Sequence, residues 1–322
     1  VRILLVVNPF ASSVTARTRV MIQTALAGEH HRHTVDVVET RRRGHATRFA
    51  QDAANRGVDV VAVLGGDGTL NEAAQGLLGT PTALAPLPGG STNVFARTIG
   101  LPNEPVPAAR ATVAALDDPG AIRRVGVATV NGRVVLFHVG IGFDAAVVEE
   151  VERRGSLKRW AGHPLFVAAA LRTWRTGYDH HRPRMRVTAA SIDGTTVTTV
   201  ADSRFTVVMN TSPYTFLGNR ALDLAPAADL DHPLSVVAFR TLRARTLLAE
   251  LGRVLAGGSL ATRGRRARRI LRIDGCTAVT VEGYGPVPYQ VDGDHLGASE
   301  RFDIRWHPER LRLVIPVAAP PG

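Results

Sequence analysis

Residues 59–78 read DVVAVLGGDGTLNEAAQGLL. The apolar run at 60–64 has the length and β-branched content of a buried strand. Two glycines break it, and TLNEAAQGLL resumes as the start of a helix. Strand, glycine turn and helix in that order make half of a βαβ unit, so the fold contains a parallel sheet. Gly65 and Gly66 let the backbone bend with φ > 0, and Gly68 lets it approach a ligand closely. The first amides of the helix can face a phosphate. An ordinary βα turn is the lesser alternative for the glycines alone, with Asn71 and Glu72 as helix-start residues.

Outward from that turn, the first 120 residues alternate between the two textures. Strands read at RILLVVNP (2–9), HTVDVVET (33–40), DVVAVLGG (59–66) and TALAPLPGG (82–90); helices are expected over 14–28, 45–56, 69–79 and 104–117. The pattern predicts a parallel sheet with helices on both faces. Ligands bind such sheets at the carboxyl ends of the strands. Asn8-Pro9, Thr40, Gly65–Thr69 and Gly89–Asn93 all fall at those ends. LPGGSTNVFAR (87–97) repeats the glycine logic, with Gly89, Gly90, Ser91 and Thr92 offering amides and hydroxyls. Ser12 and Ser13 add a third polar loop.

From about residue 122 short strands and glycine-rich turns take over. RRVGVATVNGRVVLFHVGIGFDA reads as strand, Asn-Gly turn and strand, followed by one helical stretch over about 145–176. RMRVTAASIDGTTVTTV, SRFTVVMNT, PLSVVAF, TAVTVEG, VPYQVDGD and RLRLVIPV are further strands, with a helix near 243–257 between them. This second part predicts an antiparallel β-domain.

The chain of 322 residues has room for two domains. Its one cysteine, Cys276, rules out an internal disulfide and fits a reducing compartment. Aliphatic stretches such as PLFVAAAL fall short of the roughly 18 residues of a membrane span. VRILLVVNPF lacks the cleavage region of a signal peptide, so a soluble cytosolic protein is expected. The net charge is +11, and of the 39 Lys and Arg residues only Lys158 is a lysine. Genomic composition explains such a skew; attraction to nucleotide, nucleic acid or an anionic membrane face explains it as well. No G-x-x-x-x-G-K-[ST] loop is present, which excludes an ordinary P-loop protein. The segment 157–176, with Trp160, Leu165, Phe166, Leu171 and Trp174, is either a core helix or one that lines a lipid pocket or touches a bilayer. The run RGRRARRILR (263–272) is either a solvated face or a lipid-steering patch. The histidines show no metal-ligand spacing, and His180-His181 reads as loop.

NPFASS (8–13), GGDGTLNE (65–72), PGGSTNVFAR (88–97), GIGFDA (140–145) and VDGD (291–294) resemble, in order and spacing, the diacylglycerol kinase catalytic family. That family includes sphingosine, ceramide and bacterial YegS-like lipid kinases. The match covers about 1–317. GGDGT alone is shared with NAD kinases and is similar to a phosphofructokinase turn; the set of five is specific. The resemblance implies an α/β ATP-binding domain at 1–121, rejoined by the last strands (about 304–322), and a larger, mostly antiparallel lipid-substrate domain at 122–303, with the active site in the cleft. It implies ATP and Mg²⁺ as cofactors. Asn8, Ser12, Thr40, Gly65, Gly66, Gly68, Thr69, Asn71, Gly90, Ser91 and Asn93 are the implied nucleotide contacts. Asp67 would act at the phosphates with Mg²⁺, Asp144 would face the lipid headgroup, and Asp294 would be the general base. A peripheral enzyme of the inner membrane face, with no nucleic-acid partner and with room for a homodimer, follows.

Three departures refine this expectation. Family members with diacylglycerol as acceptor read G-T-x-N-D-F where this chain has Gly90-Ser91-Thr92-Asn93-Val94-Phe95; the serine is similar to sphingosine kinases. Asp294 replaces the glutamate of a common D-G-E motif. The D-D-G turn of a structural metal reads LDHPLS (230–235), which keeps only Asp231. A bare carboxylate beside triphosphate is repelled, so Asp67 requires a divalent cation or a donating hydroxyl between them. The expected activity is transfer of the γ-phosphoryl of ATP to a lipid hydroxyl, that of diacylglycerol first and a sphingoid or other long-chain alcohol second. A catalytically silent lipid- or polyanion-binding protein of the same fold is the rival of another class.

Overall fold

A computed structural model describes residues 1–118, 120–153, 168–179, 182–192, 194 and 196–316. The chain divides into two compact units, Val1–Val125 with Glu309–Gly322, and Gly126–Pro308.

In the first unit β1 (Arg2–Val7), α1 (Ala16–Ala27), β2 (Thr34–Glu39), α2 (His45–Asn55), β3 (Val60–Gly65), α3 (Asp67–Leu77) and β4 (Ala83–Pro88) alternate as expected. A short α4 (Val94–Thr98) and then α5 (Pro105–Leu116) follow. The sheet is parallel in the order β4–β3–β1–β2. β1, β3 and β4 are apolar and almost wholly buried, because both faces of the sheet are covered. After β2 the chain crosses back over β1 to β3, which puts α1 with α5 on one face and α2 with α3 on the other. Gly76 lets the second pair close: a Cβ there would lie 2.3 Å from the Thr47 carbonyl oxygen. Val7 lies level with Leu64 and Glu39, and Leu64 with Leu87, so four strand ends stand side by side.

The second unit is mainly antiparallel. Ile122–Val130 forms β5, whose residues from Gly126 onward belong to this unit; β6 is Arg133–Val135. They are joined by Asn131 and Gly132 at φ 48° and 84°, the left-handed pair that an Asn-Gly hairpin turn uses. Then come β7 (His138–Ile141), α6 (Phe143–Glu152), β8 (Met185–Ser191), β9 (Val197–Ser203) and β10 (Phe205–Met209). A small hairpin of β11 (Thr215–Leu217) and β12 (Arg220–Leu222) precedes β13 (Leu234–Phe239), α7 (Ala244–Leu255) and α8 (Gly264–Ala267). The unit closes with β14 (Ile270–Val291) and β15 (Asp294–Val314) as far as Pro308; the end of β15 belongs to the first unit, where Arg312 and Leu313 pair with Ala83 and Leu84 of β4. β13, β10, β7 and β14 form a closed ring, since β13 also pairs with β14.

β10 and β13 are buried on both faces. Leu234, Val236 and Ala238 enter one core with Val208, whereas Val237 and Phe239 enter a second with Phe205, Val207 and Met209. Their unbroken apolar runs follow from this. Buried Thr206 and Ser235 are the polar exceptions, and the Ser235 hydroxyl donates to Asp274 at 2.7 Å.

Two expectations change. TAVTVEG and VPYQVDGD, read as separate strands, belong to one strand, β14; a register shift between Glu282 and Val287 absorbs the Gly-Pro stretch that looked like a turn. The helix expected over 145–176 begins as α6, which ends at Glu152; residues 168–172 are again α-helical and lead into a π-helical turn at Thr173–Gly177. Its middle, with Trp160, Leu165 and Phe166, lies outside the described residues, as do His180-His181 and the end of the tail.

Candidate functional site

The crossover reversal lies between β1 and β3, where open α/β sheets bind ligands. Asn8 stands on one side of it and the turn after β3 on the other. The Asn8 backbone N–H donates to the Leu64 carbonyl at 2.9 Å, and its side-chain amide donates to the Thr69 hydroxyl at 2.9 Å. The Thr40 N–H donates to Val7 at 2.9 Å, and Gly89 donates to Gly65 at 2.9 Å. The four polar turns are thus joined by hydrogen bonds across one sheet edge. Ser12 and Ser91 are exposed on their loops, Thr40 is buried, and Gly68 and the buried Asn71 lie on α3.

The glycines serve a purpose other than the expected one. Gly65, Gly66, Gly89 and Gly90 are absent from the positions with φ > 0, and Gly66 has φ −86°. Gly89 and Gly90 are needed because the two turns press together: a Cβ on Gly90 would lie 2.8 Å from Gly66 Cα, and one on Gly89 2.9 Å from the Gly65 nitrogen. The left-handed residue is Asn93, at φ 49°. Its side chain accepts from the Gly90 N–H at 2.8 Å and donates to the Gly90 carbonyl at 2.9 Å, which locks the second turn.

Asp67 is the first residue of α3, and its carboxylate is already engaged. Its oxygens accept the N–H groups of Val94 at 3.0 Å and Phe95 at 3.1 Å, at the start of α4. The expectation that a cation or hydroxyl alone could justify this charge is therefore corrected: backbone donors of the second turn stabilise it as well. A carboxylate oxygen accepts more than one bond, so this engagement leaves room for a cation. Gly65, Gly66, Asp67 and Asn93 line a small crevice. A Cβ on Gly66 would meet only Gly90 Cα, at 3.6 Å, so the space over Gly66 is open.

In the second unit Asp144 is 8% exposed, on the first turn of α6. One of its oxygens accepts the Tyr214 hydroxyl and the other the Gln290 amide at 2.7 Å. Gly140 makes room for it, since a Cβ there would fall 1.7 Å from the carboxylate. His138 packs on Tyr214 with ring centroids 4.6 Å apart. Burial lowers its pKa to about 4, against the opposing pull of Asp144, so the ring is neutral near pH 7. Burial, and then the Asp144 charge, pushes the Tyr214 hydroxyl well above its usual range.

Asp294 opens β15, is partly exposed and lies 3.9 Å from the Arg133 guanidinium. Its neighbour Asp292, passed over in the sequence, is the buried one. Asp292 accepts the N–H groups of Leu136, Phe137 and His138 at 2.8, 2.9 and 3.1 Å. The signal for it was only the left-handed φ that a D-G turn demands, here 49°. Asp231 is exposed, and the turn around it is organised by Asp229, which accepts from the Asp231 and His232 N–H groups and from the His232 ring. Among the described residues no group of three His, Cys, Asp or Glu side chains that could hold a metal is present.

Two family models match the chain. The diacylglycerol kinase catalytic domain covers residues 2–125, and the YegS C-terminal NAD kinase beta sandwich-like domain covers 137–315. Among curated relatives, the "Diacylglycerol kinase" of Bacillus subtilis is 39% identical over 101 residues, 31% of this chain and 32% of that protein. A "Probable lipid kinase YegS-like" of Chromohalobacter salexigens is 35% identical over 159 residues, 48% of each chain. The matches thus span about a third to a half of those relatives. Among solved structures, a diacylglycerol kinase from Bacillus anthracis has the same fold, with TM-score 0.69, 21% identity and coverage of 98% of this chain and 97% of that one.

Proposed function

Because this chain belongs to the diacylglycerol kinase catalytic-domain family, we propose that it transfers the γ-phosphoryl of ATP to a lipid hydroxyl, with diacylglycerol as acceptor and phosphatidic acid as product. The supporting observation is the pair of glycine-rich turns at adjacent strand ends, tied together by Asp67. The open backbone at Gly66 suits a phosphate, and the polar groups of Asn8, Thr69 and Ser91 surround the same sheet edge. One carboxylate with phosphate oxygens is a common way to hold Mg²⁺. Mg²⁺ would supply charge neutralisation for the transferring group.

In this reading residues 1–121, with the returning strand, carry the nucleotide, and 122–303 carry the lipid. Asp294 takes the proton as the acceptor oxygen bonds to phosphorus and the bond to ADP breaks; Arg133 keeps its carboxylate in place. Among the described residues no helix is long and apolar enough to cross a membrane. The enzyme would work from the cytoplasmic side as a peripheral protein at an anionic surface, alone or as a homodimer. A second reading, a sphingoid base as acceptor, draws on Asp144. Among the described residues that carboxylate is buried with two neutral donors and no cationic side chain in its bonding shell, a setting that suits an ammonium group. Incubation with labelled ATP and Mg²⁺ on vesicles holding diacylglycerol, sphingosine or neither tests both. Label in phosphatidic acid supports the first reading and label in a phosphorylated long-chain base the second. No labelled lipid under any condition would leave a silent binding protein.

A further inference from the structure

A groove of about 690 Å³ opens in the second unit at the start of α7, well within the range of small-molecule sites. Among the described residues it is lined by Trp174, Arg204, Thr241, Leu242, Arg243, Ala244 and Arg245. None of those described residues is a carboxylate. Arg243 and Arg245 are exposed, and among the described residues neither forms an ion pair. The Arg204 guanidinium donates to the Arg240 carbonyl, and the Trp174 indole N–H donates to Leu242 at 2.8 Å. α7 begins without a side-chain cap and without an acidic residue in its first turn, so its leading amides add to the positive field.

Two further features extend the groove. The Arg240 N–H donates to the Arg269 carbonyl at 2.9 Å, so the run at 263–269 borders it; Arg263, Arg265, Arg266, Arg268 and Arg269 are all exposed. Along α7, Leu248 and Leu251 are 67% and 37% exposed. Leu248 follows Arg245 by three residues and Leu251 follows Leu248 by three, so each neighbours the one before it on the helix surface. A basic groove with leucines beside it matches a phosphate carrying acyl chains, not a soluble anion.

We propose that this groove is a docking site for the headgroup phosphate of an anionic membrane phospholipid, separate from the acceptor site. Arg204, Arg243 and Arg245 would bind the phosphate, while Leu248 and Leu251 enter the interface. Forked guanidinium contacts suit a phosphate, and interfacial helices combine such cations with apolar side chains. The inference rests on the peripheral-membrane reading above but not on phosphoryl transfer.

The test is flotation of the full chain with phosphatidylcholine vesicles, with and without phosphatidylglycerol, at low and physiological salt. Wild type should bind the mixed vesicles and lose binding with salt. The Arg243→Gln/Arg245→Gln pair should bind them roughly 30-fold more weakly, the share of two surface arginines, with thermal midpoint and ATP affinity unchanged. Leu248→Ser/Leu251→Ser should weaken the residual binding at high salt. Wild type that ignores anionic vesicles would sink the membrane reading and this site with it. Wild type that binds while the arginine pair binds equally well would remove this groove alone. Binding of inorganic phosphate that the arginine pair abolishes, with vesicle binding indifferent to lipid charge, would make it a soluble-anion site and overturn the proposal.

Discussion

The Asp67 carboxylate accepts the Val94 N–H at 3.0 Å, so the aspartate of one glycine-rich turn caps the helix that leaves the other. Asp67→Asn keeps one acceptor and replaces the second with a donor that faces an N–H. We expect a loss of about 1 kcal/mol of stability, the usual worth of a cap, together with loss of phosphoryl transfer. Denaturant unfolding and turnover on the same preparation separate the roles. Unchanged stability would dismiss the cap, and normal turnover would dismiss the phosphate role.

Gly66 and Gly90 should respond oppositely to alanine. At Gly66 the added methyl meets only an ordinary contact within the protein, whereas at Gly90 it collides with backbone. Gly66→Ala should therefore fold like wild type and bind ATP weakly, which makes it a clean probe of the ligand. Gly90→Ala should lower the thermal midpoint first. Calorimetry with and without nucleotide reads both; full ATP affinity in Gly66→Ala would mean that no phosphate lies over that turn.

Asp294→Asn should lower turnover by roughly 10²–10⁴-fold, the range of a placed general base, with ATP affinity little changed. Arg133→Gln should reduce turnover less, through misorientation of Asp294. Normal rates in Asp294→Asn would move the proton acceptor elsewhere.

Asp292 is predicted to be structural. Asp292→Ala strips three buried N–H groups of their acceptor and should cost at least about 3 kcal/mol. A variant as stable as wild type in urea would refute that assignment.

His138 should make the fold sensitive to mild acid. Its folded pKa of about 4 lies below the ordinary histidine value of about 6.5, so between those values the unfolded chain binds the extra proton. Stability from this group is complete above about pH 6.5 and falls as pH drops toward 4, by an order of 3 kcal/mol in all. His138→Phe, which keeps the ring against Tyr214, should flatten that part of the profile. Parallel slopes for the two proteins would assign the acid sensitivity to other groups.

The sheet edge was legible because strand ends in a βα repeat are marked by the residues that stop strands, and Asn8, Thr40, Gly66 and Gly90 are such residues. What the glycines do was not, because close approach between turns distant in sequence leaves no local trace. Asp292 and Asp294 differ only in which way a D-G turn points each carboxylate. β14 was cut in two because Gly283, Gly285 and Pro286 look the same in a turn and in a bulge. The groove beside α7 gathers residues from four stretches, of which the 157–176 segment with Trp174 and the 263–272 run drew notice.

Burial of β13 on both faces has a cost in information. A strand with one wet face cannot slide by a residue without exposing its apolar side; Leu234, Val236 and Ala238 could exchange cores with Val237 and Phe239 without any such penalty. Ser235 supplies what hydrophobicity cannot. Its bond to Asp274 sits at the register shift where Leu234 faces Cys276 and Val236 faces Ile273, next to Gly275 at φ 76°. One hydroxyl in an otherwise greasy strand thus acts as an index mark, and Ser235→Val should leave a ring that is well filled yet able to settle in more than one alignment.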